Sequence, residues 1–295
     1  MVRVFSVFTI CILFAAHALF TEAAASGEDL FASHCLACHD GGAPKAPHVV
    51  MLQIMSPESV LDAMNVGVMK TQSAHLSAAD KVAIAEFVGG RSVSNAPLAV
   101  TNFCSSDARR NSSEQSVVSW GMGDTNPRSV PESLSGINAA NAKSLSLQWA
   151  YAFPGATRAR SQPTVYQGVI YTGTQTGAVY AIDLNSGCTH WVFQANAEVR
   201  SSVSIHAGGE AGEVKLYFGD FNGNVYALDA LTGEPLWVKS VDDHPDVTIT
   251  GSPKLHGETL YVPMSSKEWA TAADPTYQCC TFRGGVVAFD RQSGS

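Results

Sequence analysis

The sequence predicts a small all-α domain followed by an all-β domain built from a repeated four-strand unit. Three observations carry this. A C-x-x-C-H pentapeptide, Cys35 to His39, lies among helix signals near the start of the chain. A nine-residue segment, Val179 to Gly187, recurs 46 residues later as Val225 to Gly233 and again as Val286 to Gly294. Each copy follows two short alternating strands bounded by Gly, Asn and Asp turns, which is β patterning. With 45% hydrophobic and 15% charged residues among 295, the composition is globular rather than disordered or coiled-coil. A net charge of -8 leaves no basic footprint for a phosphate backbone, so nucleic acid is not an expected partner.

The chain opens on Arg3, an apolar run from Val4 to Phe20, and the small residues Ala23-Ala24-Ala25. This is the pattern of an export signal over 1–25, cleaved after Ala25. An uncleaved anchor is the alternative, because the run is close to the lower length for spanning a bilayer. No later stretch is as long and apolar, so no stable membrane span is expected after cleavage. The expected compartment is the periplasm, where cysteines oxidise.

Residues 26–91 form the predicted α domain. Cys35-Leu36-Ala37-Cys38-His39 reads as a c-type haem attachment site. Two thiols on one turn of backbone reach the porphyrin vinyl groups, and the next residue, His39, is presented to the iron. A zinc site would need a second C-x-x-C, and the chain has none. A downstream methionine sulfur is the expected sixth ligand, which raises the iron's potential. Met51, Met55, Met64 and Met69 are the candidates, with Met69 favoured and Met64 second. Ser77 and Asp80 form a capping-box pattern ahead of Val82, Ile84, Ala85 and Val88, which predicts the closing helix. Opening helix, C-x-x-C-H, Pro44 and Pro47 turns, Met and closing helix together resemble a small class I cytochrome c domain, a carrier of single electrons.

Residues 92–118 are polar, Ser/Asn-rich and without sustained periodicity, and read as a linker. From 119 the repeat begins. Strands are expected at Pro163–Val165, Val169–Thr172, Ser202–Ile205, Lys215–Phe218, Ser252–Leu255 and Thr259–Val262, in addition to the three repeat copies. Trp191 and Trp237 each follow the repeat aspartate, Asp183 or Asp229, by eight residues. Four short antiparallel strands every forty-odd residues predict β-propeller blades.

The A-x-D-x-x-[ST]-G-x-x-x-W turn resembles the tryptophan-docking motif of quinoprotein alcohol dehydrogenases, which are eight-bladed propellers carrying pyrroloquinoline quinone (PQQ) on their axis. A cytochrome c domain ahead of such a propeller resembles the quinohaemoprotein polyvinyl-alcohol dehydrogenase branch. Trp120-Gly121, Asn126-Pro127-Arg128, Leu147-Gln148-Trp149, Gln162-Pro163-Thr164, Gly187 to Trp191, Glu198-Val199-Arg200 and Gln278 to Gly284 extend the resemblance over the mature chain.

The resemblance implies haem c, PQQ and Ca2+ as cofactors. It further implies an alcohol substrate and an external electron acceptor, a cytochrome or a quinone. In the implied chemistry a carboxylate base takes the alcohol proton and PQQ, polarised by calcium, takes the hydride. The vicinal Cys279–Cys280 pair resembles the disulfide that lies against PQQ in the family; a plain loop staple or two free thiols are the alternatives. Arg160, Arg200 and Arg283 are candidates for the PQQ carboxylates, because guanidinium forks suit carboxylates. Of seven cysteines, Cys104 and Cys188 are left to pair, with two buried thiols as the alternative.

Asp220, Asp242, Asp243 and Asp246 are carboxylates in the right domain, but nothing marks one as the base, and no calcium ligands are assigned. The base is expected beyond Ser295, since 15 residues follow Cys280. Three blades are expected within 119–295, where an eight-bladed ring needs roughly 350 residues. The chain therefore reads as a truncated propeller, inactive with alcohols on its own. An electron-transfer cytochrome with a non-catalytic propeller scaffold is the competing function.

Overall fold

The computed structural model describes residues 25–43, 46–53, 55–90, 92–93, 100–105, 116–117, 120–123, 125–156, 158–208, 213–272 and 277–295. The export-type segment as far as Ala24, and Pro44, lie outside them.

Five helices build the first domain: α1 Gly27–His34, α2 Leu36–His39, α3 Val49–Leu52, α4 Pro57–Asn65 and α5 Ala78–Gly89. Their starts are set by side chains that accept otherwise unpaired backbone N–H groups. Ser26 accepts from Asp29 at 3.1 Å and Ser56 from Ser59 at 3.2 Å, with Pro57 in the first turn of α4. The predicted capping box at Ser77 and Asp80 forms, and α5 stops on Gly90 at φ 70°. Leu30 and Phe31 of α1, Val60 and Met64 of α4, and Ile84, Ala85 and Val88 of α5 make one buried cluster. Helices α1 and α5 meet almost backbone to backbone at Gly27, where a Cβ would stand 2.1 Å from the Ala83 carbonyl oxygen.

Two short helices, α6 Glu132–Ser135 and α7 Glu268–Thr271, punctuate a β domain of three antiparallel sheets. The first runs β1 Thr164–Tyr166, β2 Val169–Gly173, β3 Ala178–Asp183, β4 Thr189–Gln194, paired in that order. The second repeats it as β5 Ser204–Ala207, β6 Val214–Gly219, β7 Asn224–Asp229 and β8 Pro235–Ser240. In the third, β9 Val247–Thr248 and β10 Lys254–His256 both pair with the long β11 Thr259–Ser266, which pairs with β12 Gly285–Asp290. The repeat therefore encodes successive blades.

One device, used three times, joins neighbouring blades. Asp183, Asp229 and Asp290 each accept, through Oδ1, the backbone N–H groups two and three residues ahead and a Ser or Thr hydroxyl. Each turn closes on a glycine, Gly187, Gly233 or Gly294, with φ between 69° and 76°. Trp149, Trp191 and Trp237, each earlier in the chain, lie on Gly187, Gly233 and Gly294 in turn, and a Cβ on Gly233 would be 2.6 Å from the Trp191 ring. The indoles donate to turn carbonyls, Trp149 to Leu184 at 3.0 Å, Trp191 to Ala230 at 3.0 Å and Trp237 to Arg291 at 3.3 Å. Trp149 thus belongs to the docking series, one step ahead of the two tryptophans that the spacing marks.

Nearer the first strands, Thr164 donates to Val203 O at 2.6 Å, and Ser204 donates to Pro253 O in the equivalent place of the next pair. Apolar side chains fill the space between sheets, Val179, Trp191, Leu216 and Phe218 in one layer and Tyr217, Val225, Ile249 and Leu260 in the next.

The segment read as a linker is fastened to the first blade at both ends. Phe103 bridges Thr189 beside β4, and Val117 bridges Val165 beside β1. Cys104 and Cys188 are joined in a disulfide with Cα atoms 5.0 Å apart.

Candidate haem crevice and cofactor face

The α domain contains a crevice, open to solvent and lined by Cys35, Cys38, His39, Met55, Met64 and Met69 together with Phe31, Leu52, Val60, Ile84 and Val88. The lining is mostly apolar with a few convergent functional groups, the usual make-up of a cofactor site. Both thiols lie outside any disulfide. Cys35 follows α1, Cys38 lies within α2, and His39 ends α2 with its ring buried.

The histidine's orientation is fixed by one bond. His39 Nδ1 lies 2.7 Å from the Pro47 carbonyl oxygen. A carbonyl only accepts, so Nδ1 carries the proton and Nε2 keeps its lone pair, the tautomer that ligates metals. The two favoured methionines are tied together, because the Ser73 hydroxyl donates to Met64 O and Met69 O at 2.8 Å each. Met64 is buried in the cluster of core side chains and Met69 only partly covered, an arrangement that keeps Met69 the freer sulfur. The residues present fit a covalently held haem.

On the β domain, functional groups gather on the loops that lead into the first strands. Arg158 and Arg160 precede β1, Glu198 and Arg200 precede β5, Phe221 lies in the β6–β7 turn and Lys267 lies between β11 and α7. Glu198 receives Arg200 Nη2 at 2.7 Å and stands 3.9 Å from Arg160 Nη1. The Arg200 guanidinium lies 3.9 Å from the centre of the Phe221 ring, with Lys267 Nζ at 5.9 Å from it. Three guanidinium groups share one carboxylate, which leaves surplus positive charge. Burial foremost, and then the Arg160 and Arg200 charges, lower the Arg158 pKa against the opposing pull of Glu198. Arg158 Nε and Arg200 Nε are buried without a protein hydrogen-bond partner, so the face fits an anionic ligand that can accept from them. Arg158 was not legible in the sequence, although Arg160 and Arg200 were.

The insertion between β11 and β12 carries the Cys279–Cys280 disulfide across a cis peptide, with both residues exposed. Arg283 turns back on this loop, donating to Cys280 O at 3.0 Å and Phe282 O at 2.9 Å. Its guanidinium is engaged by the loop rather than aimed at the other arginines.

The buried Glu268 carboxylate accepts from both flanks of the cysteine pair. Hydrogen bonds, first that of the Tyr277 hydroxyl and then those of the Phe282 and Thr281 backbone, hold its pKa down to about 2. A depressed carboxyl stabilises the fold above its ordinary value of 4.5, and that contribution fades as pH falls towards about 2. Three of the four candidate carboxylates accept hydrogen bonds within the domain: Asp220 from Tyr226 and from the Asn222 and Asn224 backbone, Asp242 from His244 N and Asp246 from Thr271. Among the described residues, no group of three or more His, Cys, Asp or Glu is gathered as a metal site, and no helix is long and apolar enough to cross a membrane.

The PQQ_2 family model, described as outer membrane protein assembly factor BamB, matches residues 133–295, and the model of cytochrome c oxidase, cbb3-type, subunit III matches 22–88. A polyvinylalcohol dehydrogenase of Pseudomonas sp is 34% identical over 91% of this chain and 44% of its own length. That of Sphingopyxis sp. (strain 113P3) is 33% identical over 91% of this chain and 43% of its own. The chain thus spans less than half the length of these relatives. The crystal structure of quinohemoprotein alcohol dehydrogenase from Comamonas testosteroni superposes with a TM-score of 0.51 at 25% identity, covering 64% of this chain and 27% of that one. With a cytochrome domain ahead of tryptophan-docked blades, the chain resembles these dehydrogenases in layout, and it belongs to the PQQ_2 propeller family.

Proposed function

We propose that this chain serves an exported, periplasmic dehydrogenase that uses PQQ and haem c to oxidise secondary alcohols such as polyvinyl alcohol, and passes the electrons to an external cytochrome or quinone. The observation that carries the reading is the presence, in one chain, of a thiol- and imidazole-lined crevice and a propeller face where Arg158 and Arg200 each keep an unpartnered Nε–H. The names of the relatives support the substrate class. When bound, PQQ supplies a two-electron carbonyl acceptor and haem a one-electron carrier, with calcium as the expected Lewis acid.

The residues divide this work. Cys35 and Cys38 would tether the haem, His39 would offer Nε2 to the iron, and Met69 would supply a sulfur ligand. Arg158 and Arg200 direct unpaired N–H groups at the PQQ carboxylates, while Arg160 adds charge from a more exposed place. Cys279–Cys280 presents a rigid pair on the same face. Arg283 holds that loop in shape from within. Tethering the haem to the blades replaces a diffusional encounter with a high local concentration.

A PQQ titration of the protein as its organism exports it tests the reading. Saturable binding is expected, and Arg200→Ala should raise the PQQ Kd about tenfold or more, the usual effect of losing a hydrogen bond to a charged group. Absence of saturable PQQ binding, or an unchanged Kd in both Arg158→Ala and Arg200→Ala, overturns it.

A further inference from the structure

We propose that Glu268 is the positioning residue of the Cys279–Cys280 loop: a single buried carboxylate holds the insertion on both sides of the disulfide. Glu268 opens α7 immediately after β11 and is only 4% exposed. Its Oε1 accepts the Tyr277 hydroxyl at 2.6 Å, just ahead of the cysteines. The same oxygen accepts the backbone N–H groups of Thr281 at 2.6 Å and Phe282 at 3.1 Å, just after them. Oε2 accepts the Ser266 hydroxyl at 3.2 Å, which fixes the carboxylate to the end of β11. A second contact supports the far side, where His244 Nε2 and Thr281 Oγ1 are 2.9 Å apart and the His244 ring meets Phe282 edge-on.

The disulfide cannot do this job. It joins adjacent residues, so it stiffens two positions but closes no loop between the insertion and the blade. Among the described residues, the insertion has no strand of its own between α7 and β12, and such a segment drifts unless it is tied down. Charge-assisted hydrogen bonds are the strong kind, and removing the carboxylate strands two backbone N–H groups at once. Where the vicinal pair sits on the blade is therefore a property of Glu268. This placement is independent of the proposed cofactor chemistry, and its test contains no quinone.

Two readouts on the haem-loaded chain decide the matter: hydrogen exchange of the 277–284 segment by mass spectrometry, and reduction of each disulfide by a water-soluble phosphine. Glu268→Ala should speed exchange in that segment and reduce Cys279–Cys280 about tenfold faster, with Cys104–Cys188 unchanged, as expected for losing several charge-assisted bonds at one place. Glu268→Gln keeps the Oε1 acceptor without its charge and lets its amide donate to Ser266, so it should bring both readouts part of the way back from the Glu268→Ala values to the parent values. Unchanged rates in Glu268→Ala, equal acceleration at both disulfides, or failure of Glu268→Gln to restore the loop even in part overturns the proposal. Should Glu268→Ala fail to fold, Tyr277→Phe decides: selective acceleration at Cys279–Cys280 supports the clamp, and no change overturns it.

Discussion

Replacing Cys35 and Cys38 together by alanine should leave the chain with no covalently bound haem. Acidified organic solvent, which strips only non-covalent haem, is expected to remove all colour from the double variant and none from the parent. The effect should reach the fold as well. Phe31, Val60, Ile84 and Val88 line the crevice and also form the domain core, so without haem the core faces a large void. The cavity from a single Leu→Ala change costs about 3–5 kcal/mol, and haem fills several times that volume. Helical circular dichroism from residues 25–90 should therefore drop in the double variant. Haem that resists extraction from it would show that the two thiols are not the attachment points.

Trp191→Ala should destabilise the β domain by about 3–5 kcal/mol, the range for deleting a buried aromatic side chain. Trp191 is 8% exposed, donates to Ala230 O at 3.0 Å and packs on Gly233 and Tyr171. The ring is thus the joint between the first and second blades, and no neighbouring side chain can fill its place without disturbing the Asp229 turn. Trp269, 72% exposed, serves as the comparison, and Trp269→Ala should stay within about 0.5 kcal/mol of the parent. Urea titration followed by circular dichroism measures both. A loss below about 1 kcal/mol for Trp191→Ala would mean that the blades are held together by something other than docked tryptophans.

What the sequence discloses about this protein is what local chemistry encodes. The repeat strands, the Ser77 capping box and the Asp turns each involve residues within a few positions of one another, and all take the expected form. The Cys104–Cys188 pair also follows, since the roles of the other cysteines leave only these two. What stays hidden is long-range. Trp149 docks 35 residues ahead of its position, from a stretch without strand periodicity. Glu268 gathers donors 9 to 14 residues downstream, spread along an insertion with no pattern to mark them. Arg158 differs from any surface arginine only in the burial of its Nε. Residues 92–118 are polar and aperiodic, as a connector should be, yet strand bridges and a disulfide bind their described ends to the first blade. Arg283 has the right residue type for a carboxylate ligand, and its Nη1 donates to the backbone carbonyls of Cys280 and Phe282, contacts that no sequence pattern marks.

The central claim is that electrons from an alcohol reach the haem through PQQ. The direct measurement is the haem absorption spectrum of the protein as exported by its organism, recorded after a secondary alcohol is added with PQQ and calcium present, and again with each omitted. Haem reduction that requires alcohol and PQQ together is the expected result. Reduction that proceeds equally without PQQ, or no reduction with any alcohol in its presence, contradicts the claim.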